Sequence, residues 1–257
     1  MAEGDTVLRA AQRIGAALGG EEVAVAAPNP RGLATGVERL DGRRLEAAEA
    51  RGKNLLLDFG DLVLHSHLGM SGSWHVCKRG AAWRKPRAVA WVVLSGQEHQ
   101  AVQFGGPTLR VLSSAQLRRD PVLAGLGPDI LAEDLDVETV LRSLRSGADR
   151  SLGEALLDQS LVAGIGNVFK SEACFAAGVD PWRSTAKLPD EDLRRVLASA
   201  RRLMREAVSS GRAERSVYRR AGRPCPACVT PILSRGQGDA NRTTYWCPTC
   251  QPASPDG

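Results

Sequence analysis

Two Cys-x-x-Cys knuckles near the C-terminus constrain this chain more than any other feature: Cys225-Pro-Ala-Cys228 and Cys247-Pro-Thr-Cys250, with eighteen residues between them. Two such knuckles flanking a hairpin-length segment bring four thiolates to one tetrahedral point, the arrangement a structural Zn²⁺ requires. Two disulfides or four unligated thiols are the alternatives. The spacing, and the clean end it makes to the folded pattern, favour a zinc ribbon.

The chain of 257 residues is long enough for one or two domains besides that ribbon. No apolar run approaches the ~20 residues of a membrane-spanning helix. The opening Met1-Ala-Glu-Gly-Asp5 is acidic where a signal peptide would be basic and then apolar. A soluble, cytoplasmic protein is therefore expected. Cys77 and Cys174 stand alone outside the knuckles, which suits a reducing compartment.

The formal net charge is only +5, yet Arg194 to Arg223 holds ten arginines against Glu206 and Glu214. The basic character is thus concentrated in one segment that leads into the ribbon. A basic stripe joined to a zinc module is an electrostatic footprint for a polyanion, most often nucleic acid. A solvated arginine-rich helix is the plainer alternative.

Along the chain, Val7, Ala10, Ala11, Ile14, Ala17 and Leu18 recur at helical spacing, with Asp5 or Thr6 placed to cap the start and Gly19-Gly20 to end it. From about Val23 to Ser113 the texture changes to short β-type runs, namely 54–59, 62–67, 88–94, 101–104 and 109–112, with Gly60-Asp61 as a tight turn. This predicts a β-sandwich or barrel. Beyond Gly127-Pro128 the runs 137–144, 151–158, 168–177 and 191–208 read as helices. The expected fold class is α+β multidomain: an N-terminal helix on a β-sandwich (1–128), a helical domain (129–215), the zinc module (216–251) and a disordered Pro/Ser-rich tail (252–257). Within the helical part, Leu156-Leu-Asp-Gln-Ser-Leu-Val-Ala-Gly-Ile-Gly166-Asn167 reads as a compact turn between helices, with Asn167 placed to cap the second. Such a helix start can receive a phosphate, although an ordinary helix corner would look the same.

Taken together, five pieces resemble the formamidopyrimidine-DNA glycosylase/endonuclease VIII family: Glu3-Gly-Asp-Thr-Val7, Arg51-Gly-Lys53, His65-Ser-His-Leu-Gly-Met70, the 157–172 run and Tyr245-Trp-Cys-Pro-Thr-Cys-Gln251. They occur in the family's order over residues 1 to 251. The opening and the Gly-Ile-Gly-Asn run are similar to the endonuclease VIII branch, particularly its actinobacterial members. The resemblance implies a helix-two-turns-helix domain between the sandwich and a zinc finger, and a base-excision-repair glycosylase/AP lyase. Such an enzyme removes oxidised bases, here pyrimidines, from damaged double-stranded DNA. It then cuts the abasic strand by β,δ-elimination through a Schiff base at the N-terminal amine. A bacterial, nucleoid-associated monomer with one structural Zn²⁺ is implied.

By the same resemblance, Ala2 supplies its α-amine as nucleophile, Glu3 is the neighbouring acid/base, and Lys53 contacts the phosphate or sugar. Met70 fills the hole left by the flipped base, and Asn167 and Arg242 bind the backbone beside the lesion. The chemistry suits these residue types. An α-amine with a pKa near ~7.7–8.0 is substantially neutral near pH 7, unlike a lysine. A base inside a duplex must be flipped out before it can be attacked, and a flexible apolar side chain can occupy the space. The plainer roles are a helix-capping carboxylate for Glu3, a solvated lysine for Lys53 and a core position for Met70. The hairpin 234–244, rich in Gly, Gln, Asp and Asn, is expected to be mobile before DNA binds. His65 and His67 alternate on one strand with no third ligand nearby and read as structural.

One departure matters. The family's opening is almost always Met-Pro-Glu, whereas this chain has Met1-Ala2-Glu3. A secondary amine gives a permanently cationic iminium, while a primary amine gives an imine that must be protonated before it draws electrons. A damaged-DNA or abasic-site binder with impaired or no catalysis is therefore the alternative function. Removal of Met1 is expected, because Ala2 is small. A zinc-ribbon module of a translation or transcription factor would leave Glu3, Lys53 and the Gly-Ile-Gly-Asn turn unexplained.

Overall fold

The computed structural model of the chain describes residues 2–146 and 150–253. Met1 and residues 254–257 of the tail expected to be disordered lie outside the described residues. The chain divides into two compact units, Met1–Gly125 and Leu126–Gly257.

The N-terminal unit begins with α1 (Gly4–Leu18), in which Val7, Ala11, Ile14 and Leu18 form a buried stripe at helical spacing. The helix starts at Gly4, so the cap position falls on Glu3 rather than on Asp5 or Thr6. Next come β1 (Glu22–Ala26), α2 (Pro30–Leu33), β2 (Arg43–Arg44), β3 (Ala47–Arg51), β4 (Asn54–Asp58), β5 (Leu62–His67) and β6 (Ser73–Lys78). The unit continues through β7 (Ala90–Ser95), β8 (His99–Phe104), β9 (Thr108–Ser113), α3 (Ser114–Arg118) and α4 (Pro121–Ala124). The strands pair antiparallel into a sheet of order β2-β1-β7-β8-β6 and a second of order β3-β4-β5-β9. Ile14 and Leu18 of α1 share one core with Leu55 and Leu57 of β4, Leu64 of β5, Val92 and Leu94 of β7 and Val111 of β9. That core draws on both sheets, as a sandwich requires, and α1 packs on β3 and β4.

Strands β1, β2, β3 and β6 lie outside the runs read from sequence. Ala47-Ala-Glu-Ala-Arg51 has the composition of a helix, and its pairing with β4 from Ala47↔Asp58 to Arg51↔Asn54 overrides that propensity. The two strands are joined by Gly52-Lys53 alone, with Gly52 at φ 60°, the positive value a type II′ turn needs at its first central residue.

In the C-terminal unit, α5 (Val137–Ser146), α6 (Leu152–Ala155), α7 (Asn167–Ala177) and α8 (Asp190–Ser210) precede a hairpin of β10 (Leu233–Gln237) and β11 (Arg242–Trp246). The helix expected over 151–158 is confined to α6. Asp158 Oδ1 instead accepts from Ser160 N (2.9 Å) and turns the chain. The next residue knits that turn together: Gln159 donates to Leu157 O (2.9 Å) and Ile165 O (3.1 Å) and accepts from Gly164 N (3.1 Å). Gly164 sits at φ 102°, where a side chain would be strained and would press on Ile130. α7 then packs against α8. The hairpin expected to be mobile over 234–244 is paired in register from Leu233↔Trp246 to Gln237↔Arg242. No helix among the described residues is long and apolar enough to cross a membrane.

Candidate active site and nucleic-acid interface

The N-terminal unit gathers four of the residues singled out from sequence at one end of the sheet β3-β4-β5-β9. Asn54, His67 and Thr108 stand in one row across β4, β5 and β9. Lys53 precedes Asn54 in the β3–β4 turn, and its charge, after burial, helps hold the His67 imidazole below its usual pKa. Leu68-Gly69-Met70-Ser71-Gly72 leaves the same end of β5 as a tight loop, closed by Gly72 N on Leu68 O at 2.8 Å. Met70 projects from this loop with 63% of its surface exposed, so it is not a core residue. Ala2 N donates to Gly69 O at 3.2 Å, which fixes that nitrogen beside the Met70 loop.

Glu3 follows at the cap position of α1, only 2% exposed. Its backbone carbonyl accepts the first helical bond, from Val7 N at 3.1 Å. Its carboxylate makes no capping bond, so capping does not account for an acid at this position.

Behind this end runs a buried polar relay. His65, 2% exposed, pairs Nε2 with Asn54 Oδ1 (2.9 Å), while its Nδ1 accepts from Arg110 Nε (3.0 Å). These contacts assign the neutral ring with the proton on Nε2. Asn54 passes the relay to Arg51 O (3.2 Å), at the base of the Lys53 turn, and Arg110 pairs with Asp120 (2.6 Å), which caps α4. Burial, and then the Arg110 charge, lower the His65 pKa to about 4. A histidine whose folded pKa lies below its unfolded value contributes full stability above about pH 6.5 and loses it as pH falls towards the folded value. Unfolding free energy should therefore drop by up to about 3 kcal/mol between pH 6.5 and 4. Urea melts across that window check this, and His65→Gln, which cannot titrate, should flatten the slope.

In the C-terminal unit, α7 holds the hairpin. Asn167 is the first residue of that helix, and the cap position belongs to Gly166, so the expected capping role is not found. Instead Asn167 Nδ2 donates to Thr243 O (2.7 Å), beside Arg242, while its Oδ1 is buried without a hydrogen-bond partner. One turn on, fully buried Lys170 donates to Thr244 Oγ1 (2.6 Å) and reaches Gln237 Oε1 (3.5 Å). Glu172 accepts from the backbone N–H of Ser216, Val217 and Tyr218 at 2.8, 3.1 and 2.7 Å, and burial still pushes its carboxyl up against those donors. Arg242 itself is exposed at the start of β11. Nothing in the local sequence marks Lys170 or Gln237 as a site residue, save that Lys170 is a cation set between Phe169 and the small residues of a compact helix.

The two knuckles close on each other as expected. All four Sγ atoms of Cys225, Cys228, Cys247 and Cys250 lie within 4.8 Å of one another. The Cys225–Cys250 and Cys228–Cys247 separations are 3.8 and 3.4 Å, too long for disulfides. Tetrahedral Zn–S bonds of 2.3 Å require S···S edges of about 3.8 Å, so the cluster fits a zinc site. Ala227 N and Cys250 N point at Cys225 Sγ (3.4 Å) and Cys247 Sγ (3.5 Å), as amides do towards thiolates. Among the described residues this is the one metal-compatible group of side chains, and it includes neither His65 nor His67.

Comparison with known proteins agrees with this architecture. Residues 1–110 match the formamidopyrimidine-DNA glycosylase N-terminal domain and residues 126–218 the formamidopyrimidine-DNA glycosylase H2TH domain. The chain is 41% identical to a probable endonuclease 8 2 of Streptomyces coelicolor, over 98% of this chain and 94% of that one. It is 35% identical to the DNA-(apurinic or apyrimidinic site) lyase Nei2 of Mycolicibacterium smegmatis, over 99% and 100%. Among solved structures, Lactococcus lactis Fpg (MutM) in complex with DNA containing N7-benzyl-Fapy-dG superposes with a TM-score of 0.82 at 25% identity, covering 98% of this chain and 100% of that one.

Proposed function

The chain belongs to the formamidopyrimidine-DNA glycosylase family, and on that footing we propose that it is a base-excision-repair DNA glycosylase/AP lyase acting on oxidised pyrimidines in duplex DNA. The observation that carries this reading is the meeting of Ala2, Glu3, Lys53 and Met70 at one end of a sheet, with Ala2 N held 3.2 Å from Gly69 O. Once Met1 is removed, that nitrogen is a primary amine. Its lone pair attacks C1′ of the flipped nucleotide, a C1′–N bond forms, and the damaged base leaves with the C1′–base electrons.

Glu3, shielded from water, moves protons for ring opening and for loss of the C2′ hydrogen, and the 3′- and then the 5′-phosphate depart. Lys53 neutralises a phosphate, and Met70 fills the vacated stack. In the C-terminal unit, Arg242 and Asn167 bind the backbone, with a planar guanidinium suited to phosphate oxygens. The four cysteines hold a structural Zn²⁺ whose contribution is to fold the hairpin. We further propose that the enzyme acts as a cytoplasmic monomer, with functional segments 1–128, 129–215 and 216–251. Incubation with a duplex containing one oxidised pyrimidine should yield β,δ-elimination products. A duplex that is bound and left intact would favour the binder that Ala2 otherwise suggests.

The primary amine carries its own prediction. A Schiff base of Ala2 must be protonated to act as an electron sink, whereas one formed by proline is always cationic. Elimination by the wild type should therefore slow about tenfold per pH unit above the imine's pKa. Ala2→Pro should lose that alkaline fall, as single-turnover nicking of abasic DNA from pH 7 to 10 would read.

A further inference from the structure

The segment from Leu62 to Gln97 contains no acidic residue and carries Lys78, Arg79, Arg84, Lys85 and Arg87 on and after β6, a charge cluster the glycosylase reading does not use. Among the described residues none of these five cations forms an ion pair within the N-terminal unit, and Arg84 and Arg87 are exposed. They surround aromatic rings. Trp83 and His75 both pack edge-on against Phe104, with centroids 5.9 and 5.0 Å away. Lys85 lies over Phe104 (5.3 Å) and Arg87 over Trp83 (5.5 Å).

A cavity of about 390 Å³ opens here, walled by Trp74, His75 and Trp83 and rimmed by Arg13 and Arg84. Burial and then the charges of Lys85, Arg84 and Arg13 depress the His75 pKa, as expected where three cations converge on this wall. A second cavity of about 180 Å³, lined by Thr6, Arg9, Arg13 and Trp74, shares two of those residues and extends along α1 towards its N-terminal end. Thr6, Arg9 and Arg13 recur on one face of α1, and the helical rise sets Arg13 roughly 14 Å along the axis from Gly4, where the helix begins.

We propose that the Trp74–Trp83 cavity is a binding subsite for an unpaired nucleotide of a DNA strand that runs along α1 from the catalytic end. This rests on the glycosylase reading only for the identity of the polymer. A nucleotide needs a volume of this order, an aromatic wall for the base and a cation for the phosphate, and all three are present. Paired bases in a duplex have their faces covered by neighbouring bases, so the rings can serve only an unpaired one. Stacking of one base on an aromatic side chain supports an effect between about fivefold and a hundredfold on affinity.

The test measures fluorescence anisotropy of labelled oligo-dT and of a blunt abasic-site duplex with the full-length protein. Trp83→Ala should weaken oligo-dT binding at least fivefold, with Trp83→Phe restoring most of it and Arg84→Gln weakening it as well. Duplex affinity should stay within twofold for all three. Circular dichroism identifies a misfolded Trp83→Ala, in which case exposed Arg84→Gln decides. Oligo-dT affinity unchanged by Arg84→Gln, or equal losses on both DNAs, would overturn the subsite, as would failure of the wild type to bind oligo-dT. Failure of the glycosylase reading would appear separately, as absence of nicking when the same abasic-site duplex is resolved on a denaturing gel.

Discussion

Glu3→Gln is expected to lower base excision and strand cleavage by about 10²–10⁴-fold, the range for a positioned acid/base, while abasic-duplex affinity and melting temperature stay near wild type. The substitution keeps the volume of a side chain that is only 2% exposed, so packing of α1 against β3 and β4 is preserved. The carboxylate makes no capping bond, so the helix loses at most the favourable interaction of a charge with its N-terminal dipole, about 0.3–1 kcal/mol. Single-turnover kinetics on a lesion duplex and on a preformed abasic duplex separate its two roles. Proton transfer that opens the ring as the base leaves enters only the first, and C2′ deprotonation is read by the second. Unchanged rates on both would return Glu3 to a structural role.

Cys247→Ser, or a chelator that strips the proposed Zn²⁺, should reduce abasic-duplex affinity by about 100-fold. The ribbon's own core is small, comprising Val217, Cys225, Ile232 and Cys247 with a few half-buried neighbours. Structural zinc in small modules supplies about 10–16 kcal/mol of apparent binding free energy, far more than such a core can provide. Without it, the register that places Arg242 opposite Gln237 is lost. The Thr243 carbonyl that orients Asn167 is lost with it. A charge-assisted contact is worth about 1.5–3 kcal/mol, so losing one such contact outright accounts for the predicted factor. Among the described residues the sandwich core and the ribbon core have no member in common, so the sandwich should keep its fold, visible as retained β-type circular dichroism. Full affinity in a metal-free protein would separate the cysteines from DNA binding.

The parts of this fold that were legible in sequence are those in which one residue pattern admits one local structure. The stripe from Val7 to Leu18 can bury only as a helix, and Leu62–His67 is a short β-type run, set off by the Gly60-Asp61 turn, that the structure buries as a strand. The cysteine spacing predicted the tetrad that the four Sγ atoms form. Strand β3 was illegible because Ala and Glu prefer helices, and only its partner β4 decides the matter. The capping role given to Asn167 failed for a related reason. Asparagine is a common cap, but here Thr243 O, 76 residues away in sequence, takes its side-chain amide. The buried links through Lys170 and Gln237 depend on such distant pairings and leave no local pattern. The cavity between Trp74 and Trp83 was hidden because strand β6, which carries Trp74 and His75, had not been recognised as a strand.

The reading turns on whether the nitrogen of Ala2 becomes a competent nucleophile. Intact-protein mass spectrometry, before and after borohydride reduction in the presence of abasic-site DNA, tests this directly. The account predicts a protein lacking Met1 that gains the mass of one DNA fragment, with the adduct mapping to the N-terminal peptide. A protein that retains Met1, or that binds the DNA yet forms no adduct, would contradict it.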